Sequence, residues 1–201
     1  MVCVGERDFR IEDGVLVKYL GNKSHVIIPD GVTKIGSEAF EICESLKSVT
    51  IPVGVTTIEG RAFACCDSLM SITIPNSVTK IGEEAFMFCD SLKTIYIPNS
   101  VTEIEPGTFG RCLSLESVHI PDGVIKIGSD AFAGCVSLKS VVIPSSVKEI
   151  GMDAFTDCFS LESVSLPEDA YFYDDTFEHC NSLVEVTYTG HSVGDHEREE
   201  R

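Results

Sequence analysis

The chain has 201 residues, with 15 Lys and Arg against 32 Asp and Glu, and its formal net charge is −17. Proteins contact phosphate backbones and anionic lipid surfaces mainly through Lys and Arg, so this balance opposes binding to nucleic acid or to such surfaces. Hydrophobic residues make up 43% of the chain, which is enough for a sizeable core and excludes a mainly disordered protein.

The N-terminal segment, MVCVGERDFRIEDGV, has no basic stretch followed by an apolar one, and therefore does not resemble a secretory signal. No apolar run approaches the roughly 20 residues that a membrane helix needs, so we expect no membrane insertion. This evidence fits a cytoplasmic protein, and it equally fits a mature fragment of an exported one. Two short apolar stretches meet at Asp13-Gly14, a tight-turn dipeptide, and predict a hairpin cap over residues 1–21.

A 23-residue unit then repeats from Ile28 to about Tyr188; the first two copies read IPDGVTKIGSEAFEICESLKSVT and IPVGVTTIEGRAFACCDSLMSIT. Self-similarity at this period is the signature of a solenoid, in which stacked coils pool their apolar residues into one core. We predict about seven coils over residues 22–189. The proline of the unit recurs at Pro29, Pro52, Pro75, Pro98, Pro121, Pro144 and Pro167.

Within each unit, apolar and hydroxyl residues alternate just before the proline. Val49 and Ile51 alternate with Ser48 and Thr50, which predicts a short strand with one buried face. Pro52 has no N–H and ends the strand at a corner. One wall of the solenoid is therefore predicted to be a parallel β-sheet.

The opposite wall is predicted from the second half of the unit. Its Ala-Phe pair, first seen at Ala39-Phe40, is expected to point inward from short strands and 3-10 or helical turns. A glycine recurs nearby and is expected to serve a turn; it stands at Gly36, Gly82, Gly128 and Gly151.

This unit resembles the BspA-like, or treponemal-type, leucine-rich repeat, whose pattern is LxxLxLPxxLxxIxxxAFxxCxxL. The resemblance covers nearly the whole chain, although Gly107-Thr108 replaces the usual x-Ala before Phe109. It implies a leucine-rich-repeat solenoid and a surface-associated or host-interacting binding protein, located at the cell surface or secreted. The matching residues are Leu46, Val49, Ile51, Pro52, Val55, Ile58, Ala62, Phe63, Cys66 and Leu69.

The end of the chain departs from the repeat. The unit over residues 166–189 is irregular, and we expect it to act as a C-terminal cap. Residues 190–201 have no apolar periodicity and are expected to form a disordered acidic tail.

Seven of the nine cysteines fall at one repeat position and predict a column along the stack. Side chains stacked in parallel at about 5 Å are poorly placed for a disulfide, and no CxxC or Cys/His spacing suggests zinc. We therefore predict a ladder of buried, reduced thiols, which favours a reducing compartment. Cys3 and Cys65 lie off the ladder and are the expected exposed thiols.

Candidate binding residues are sought where units differ on the outward side of the sheet. Tyr96 and His119 interrupt a column of short hydroxyl residues at mid-array, where an interaction hot spot would lie. The alternative is that Tyr96 is simply a good strand residue. Neighbouring candidates are Val142, Lys93 and Glu116.

A second candidate binding surface lies at the repeat position directly after the column cysteine. The first three units carry Glu44, Asp67 and Asp90 there, whereas the next three carry Leu113, Val136 and Phe159. If these side chains face outward they form an apolar stripe, and such stripes mark protein contacts or dimer seams. If they fold back, they only extend the core.

Catalysis and cofactor binding find little support. The five histidines show no consistent spacing to a Ser, Cys or acidic residue, and neither a phosphate-binding glycine loop nor HExxH is present. The acidic residues lack the spacing of a calcium loop. We expect no metal and no cofactor.

Two functions remain open. The first is a non-catalytic scaffold that binds a protein or glycan partner through its strand face. The second is a structural spacer or self-association module of a larger surface protein, with weak homo-oligomers forming through the stripe.

Overall fold

Asp13 and Gly14 both have positive φ, 48° and 77°, and this tight turn joins β1 (Phe9–Glu12) to β2 (Val15–Tyr19) as an antiparallel hairpin. The computed structural model describes residues 8–189, and these strands are its first elements. β2 also pairs in parallel with the first of the short strands that form the opposite wall of the solenoid, so that Leu16 lies opposite Ile35. The hairpin therefore begins one of the two sheets of the solenoid.

The alternating segment before each proline forms a strand in every unit. Paired strands run parallel and in register, so that Ser48 lies opposite Ser71 and Val49 opposite Ile72. The predicted solenoid is confirmed, with eight such strands in residues 8–189. They form the front sheet, whose outward surface we call the strand face: β3 (His25–Ile27), β5 (Ser48–Thr50), β7 (Ser71–Thr73), β9 (Thr94–Tyr96), β11 (Ser117–His119), β13 (Ser140–Val142), β15 (Ser163–Pro167) and β17 (Glu185–Thr189).

The opposite wall carries two-residue strands that form the back sheet. Except between β8 and β10, neighbouring strands of this wall pair in parallel, and all of them but the last carry one inward isoleucine, as in the pair Ile127 and Ile150. These strands are β4 (Lys34–Ile35), β6 (Thr57–Ile58), β8 (Lys80–Ile81), β10 (Glu103–Ile104), β12 (Lys126–Ile127), β14 (Glu149–Ile150) and β16 (Tyr171–Phe172).

The Ala-Phe pair lies in a turn between the two sheets, and the helical turn that the sequence favoured there does not form. In the third coil Glu84 and Phe88 have positive φ, 54° and 61°, which is uncommon for residues other than glycine. Their N–H groups and that of Phe86 all donate to carbonyls of the next coil, at 3.0, 3.0 and 2.9 Å. These bonds between coils offset the cost of the left-handed backbone, and the same geometry recurs along what we call the turn face.

Beneath the turn face, the phenylalanines form a continuous stack. Adjacent ring centroids lie 4.9 to 5.5 Å apart and their planes differ by at most 15°. Tyr19 of the hairpin continues the stack at its N-terminal end, 5.2 Å from Phe40. The stacked residues are Phe40, Phe63, Phe86, Phe109, Phe132, Phe155 and Phe177.

The recurrent glycines have a role other than the one expected. Gly82, Gly128 and Gly151 do not have positive φ, so no special turn conformation requires them. A Cβ on any of them would lie 2.4 to 2.6 Å from a backbone nitrogen of the preceding coil. Glycine is needed there because the coils approach closely at that corner.

Neither sheet is continuous along the described array. The front sheet has no pairing between β7 and β9 or between β11 and β13, and the back sheet has none between β8 and β10. The turn face crosses all three positions without interruption. The N–H of Phe86 still donates to Thr108 and that of Phe109 to Ala131, at 2.9 and 2.8 Å.

Truncating one ring of the stack should destabilise the whole array. Phe132 is fully buried between Phe109 and Phe155, and Phe132→Ala should lower the free energy of unfolding by about 3–5 kcal/mol. Urea unfolding followed by circular dichroism measures the change. Val53→Ala, at an exposed position, is the control and should cost less than about 0.5 kcal/mol. Equal effects of the two variants would show that the stack does not hold the array together.

Candidate binding surface

Tyr96 and His119 lie side by side on the strand face. They occupy paired positions of β9 and β11, and their ring centroids are 6.2 Å apart with planes inclined by 44°. The Tyr96 side chain is 70% exposed. Most other coils carry Thr or Ser at this position, so the two rings are the main change in chemistry along the column.

A depression of about 520 Å³ begins beside His119, where the front sheet parts between β11 and β13. Val118 lies on its floor and is only half-buried, whereas the equivalent Ile95 and Val141 are buried. Val142, 64% exposed, stands on the far side. We call this depression the strand-face groove; its other lining residues include Ser117, Asp122, Ser140, Pro144, Ser145 and Thr189.

The structure therefore brings His119 and Val142 to one groove and places Tyr96 at its border. The sequence did not predict Asp122, Ser145 and Thr189 as part of this surface, because they do not belong to the repeat column of Tyr96 and His119. They line the groove where β11 and β13 are not paired. Lys93 and Glu116 are exposed one position before β9 and β11. Their backbones are joined, with the Glu116 N–H donating to the Lys93 carbonyl at 2.9 Å.

The predicted apolar stripe is only partly exposed. Leu113 and Phe159 are 38% and 47% exposed, while Val136 between them is half-buried. The N–H of Ser160 donates to the Val136 carbonyl at 3.2 Å, which ties the two coils at this point. Two side chains of the stripe thus face solvent with a less accessible one between them.

The cysteine column forms the expected ladder of buried free thiols. Cys66, Cys89, Cys112, Cys135 and Cys158 are buried, and each thiol donates to a phenylalanine carbonyl at 3.1 to 3.3 Å. Burial raises the pKa of Cys66 and of Cys135 to about 12. Cys43, Cys65 and Cys180 are half-buried, and Cys3 lies outside the described residues.

Two histidines have polar partners that spacing did not reveal. The Nδ1 of His25 lies 2.8 Å from the Ser48 hydroxyl, and the Nδ1 of His179 lies 3.0 Å from an Asp157 carboxylate oxygen. Both pairs are exposed and join neighbouring coils at equivalent repeat positions, since the last coil is one residue shorter. Among residues 8–189 no group of three or more His, Cys, Asp or Glu side chains could hold a metal ion.

Within residues 8–189, no helix has the length and apolar character needed to cross a bilayer.

A stack of short parallel strands over pooled apolar columns, with a solvated outer face, defines a leucine-rich repeat protein. The family model described as BspA type Leucine rich repeat region matches in six copies over residues 15–124 and 102–195. The chain belongs to this family, and the resemblance drawn from the repeat motif is confirmed.

Several solved bacterial structures share the fold. The T. pallidum Leucine Rich Repeat protein (TpLRR) is 32% identical, with 92% of this chain and 81% of that one covered, at a TM-score of 0.61. A leucine-rich repeat protein from Eubacterium ventriosum is 28% identical. The match covers 89% of this chain and 48% of that one, at a TM-score of 0.76. A leucine-rich repeat protein from Bacteroides ovatus is 24% identical, and the match covers 92% of this chain and 68% of that one. Its TM-score is 0.52, and it supports the fold alone. No curated protein matches the chain significantly.

The thiol ladder predicts a loss of stability at alkaline pH. A thiol with a pKa of 9.0 when unfolded and about 12 when folded ionises first in the unfolded chain, so its contribution is complete below pH 9 and is lost as the pH rises toward 12. Each such buried thiol should lower the free energy of unfolding by about 1.4 kcal/mol per pH unit in that window.

Urea unfolding of wild type and Cys135→Ser between pH 8 and pH 11 checks this expectation. The serine hydroxyl does not titrate, so the variant should lose stability with a shallower slope. Identical slopes would contradict a free, buried thiol at this position, and a ladder closed by disulfides would give no such slope at all.

Proposed function

We propose that this protein is a non-catalytic scaffold that binds a protein or glycan partner through its strand face. The observation that carries the proposal is the exposed pair of rings, Tyr96 and His119, beside the strand-face groove. Leucine-rich repeat proteins are typically scaffolds for protein interaction without enzymatic activity, which supports the class of function. A position at the cell surface or outside the cell is part of the proposal and rests on the family.

The two rings supply contact area at low entropic cost. A tyrosine side chain has few rotatable bonds, an apolar body and a polar tip, and such residues dominate the energetics of interfaces. The flat faces of Tyr96 and His119 can pack against an apolar side chain or against the C–H face of a sugar ring. Both partner classes are therefore compatible with this part of the surface.

The groove adds polar groups of fixed position. Ser117 and Ser140 line it from both strands and Asp122 lies at its edge, so that a partner meets hydroxyl donors and one carboxylate acceptor beside the apolar Val118 and Val142. This mixture suits recognition, in which polar groups set orientation and apolar ones supply affinity.

The proposal includes the absence of catalysis. Apart from His119, the residues that line the groove are hydroxyl residues, aliphatic residues and one aspartate. Among its described lining residues, His119 is the sole imidazole, and the structure shows no hydrogen bond between it and Asp122. This arrangement supports binding rather than the paired acid and base that hydrolytic or transfer reactions require.

Removing both rings should abolish partner binding without affecting the fold. The double variant Tyr96→Ala with His119→Ala is compared with wild type in pull-downs from the native source, with captured proteins quantified by mass spectrometry, and on a glycan array. Loss of a hot-spot residue costs at least about 2 kcal/mol, so affinity for a true partner should fall more than tenfold. The thermal unfolding midpoint should stay close to that of wild type.

The matched control is Thr50→Ala with Thr73→Ala, which alters the same outward position of β5 and β7. It should leave the captured partners unchanged. If the ring variant captures the same partners in the same amounts as wild type, Tyr96 and His119 are not the binding site.

A second function is favoured by the exposure of Leu113 and Phe159. Two large apolar side chains on neighbouring parts of one flank support self-association through that flank, as in a spacer or assembly module of a larger surface protein. Because Val136 is half-buried, a charge placed there would disturb packing as well as the surface. Leu113 and Phe159 are the better positions to change.

Light scattering across a concentration series tests self-association. Leu113→Asp with Phe159→Asp places on two coils the residue that Asp67 and Asp90 already supply at this position in earlier coils. If the flank is a seam, the wild-type mass should rise with concentration and the variant should remain monomeric. A wild type that is monomeric throughout removes the support for an assembly role.

A further inference from the structure

The last coil of the described chain leaves inward positions uncovered. Val186 and Tyr188 of β17 stand in register with two inward residues of β15, Val164 and Leu166. The two residues of β15 are each 2% exposed, whereas Val186 is 45% and Tyr188 58% exposed. In the back sheet, Phe172 is likewise 38% exposed, although its partner in the preceding coil is fully buried. We call this surface, formed by Phe172, Val186 and Tyr188, the open end.

The outer edge of β17 carries free peptide groups. Tyr188 has the repeat position of Ile143, and the N–H of Ile143 donates to the Ser165 carbonyl of the next coil at 2.9 Å. Because peptide groups alternate in direction along a strand, those of Val186 point to the same side as those of Tyr188. β17 is the last strand in the order β13, β15, β17, and no strand pairs with that edge within residues 8–189. Such an edge is a template for pairing with another strand.

The N-terminal end of the solenoid is covered. Leu16 is fully buried, and Tyr19 and Val26 are only 5% and 4% exposed. The hairpin contributes to this cover through Phe9, whose ring centroid lies 5.3 Å from that of Tyr19. An open end that stacked on the N-terminal end of another copy would therefore meet inward columns that are already buried. Two open ends that meet bury apolar surface on both sides, and a contact between identical surfaces closes at two copies.

The order of residues in β17 suits pairing of this strand with itself. In an antiparallel pair of two copies with Thr187 on the two-fold axis, Val186 lies opposite Tyr188 of the second copy. These two residues would exchange both hydrogen bonds through the free peptide groups of the edge. An aromatic residue opposite a β-branched one is a favourable cross-strand pair. Glu185, the one charged residue of β17, lies opposite Thr189 of the second copy rather than opposite a like charge.

We propose that two copies of this chain join at their open ends, with β17 of one copy antiparallel to β17 of the other around Thr187. The contact continues the stacking that holds the coils together, and it covers the uncovered inward residues of β17 in both copies. Residues 190–201 contain one aliphatic side chain, Val193, so their composition does not suit that role. The contact is separate from the flank that contains Leu113 and Phe159.

The two-fold axis of such a dimer is perpendicular to the front sheet, so both strand faces point to the same side. Four strand steps lead from β9 to β17 in each copy and one crosses the contact, and at about 4.8 Å each they place the two Tyr96–His119 pairs roughly 40 Å apart. A partner with two epitopes would be bound at both sites at once and with increased avidity. This consequence rests on the proposed role of the strand face, whereas the dimer contact itself does not.

Cysteine cross-linking tests the register of the contact. Opposite residues of antiparallel strands that exchange no hydrogen bonds have Cα atoms about 4.5 Å apart, which is within the range of a disulfide. Thr187→Cys should therefore form a linked dimer under mild oxidation, as measured by non-reducing gel electrophoresis. The control is Thr73→Cys, at the same outward position of β7, which should give no more linked dimer than wild type. If Thr187→Cys stays unlinked at concentrations at which wild type is dimeric, the proposal is overturned.

A charge placed inside the contact should separate the copies. Val186→Asp would bury two aspartates in each dimer and should weaken association at least about tenfold, measured by sedimentation velocity across a concentration series. Val184→Asp is the matched control, because it makes the same change at an 88% exposed position where the preceding coil carries Glu162; it should leave the dimer intact. Urea unfolding shows whether each variant folds. Tyr188→Ser, which adds no charge, should weaken the dimer severalfold and serves as the second variant.

Salt dependence separates this contact from one between opposite charges. No lysine or arginine lies between Lys148 and Thr189, whereas acidic residues are frequent there, so the two ends repel each other. Raising the ionic strength from about 0.01 M to about 0.15 M shortens the Debye length from about 30 Å to about 8 Å and should strengthen the dimer. Weakening by salt would overturn the proposal. So would a wild type that is monomeric at every concentration or grows beyond a dimer, or a dimer that is lost in Leu113→Asp with Phe159→Asp but kept in Val186→Asp.

Discussion

The stacking of one coil on the next along the turn face is the interaction on which the rest of this protein depends. No unit of 23 residues can bury its own apolar residues, so each coil is stable only between its neighbours. The phenylalanine rings, 4.9 to 5.5 Å apart, and the hydrogen bonds above them cross every coil boundary from the first Ala-Phe pair to the last. The strand pairing of the two sheets does not cross every boundary, because it is interrupted twice in the front sheet and once in the back sheet.

This division explains where the surfaces available for binding lie. Where the stack fixes the spacing between coils, the buried columns must be uniform, because a larger or smaller residue would clash or leave a cavity. The outward columns carry no such requirement. Tyr96 and His119 are departures that the core tolerates because neither side chain enters it.

The repeat made much of the structure predictable. The column of Val49 and its equivalents indicated the front strands, the cysteine column indicated buried thiols, and the outward position of Tyr96 followed from the alternation within its strand. The turn between the sheets was not predictable in the same way. Positive φ at Phe88 is unfavourable for the residue taken alone, and it becomes acceptable only because its N–H finds the Gly110 carbonyl in another coil.

By itself, the sequence determined the period, the inward columns, the parallel register and the family, because each follows from the spacing of apolar residues along one chain. Only the tertiary structure decided where strand pairing is interrupted and that Val136 is half-buried between the exposed Leu113 and Phe159. The physical reason is that these features depend on the separation between coils. That separation is set by the packing of all the columns together, so no single repeat position encodes it.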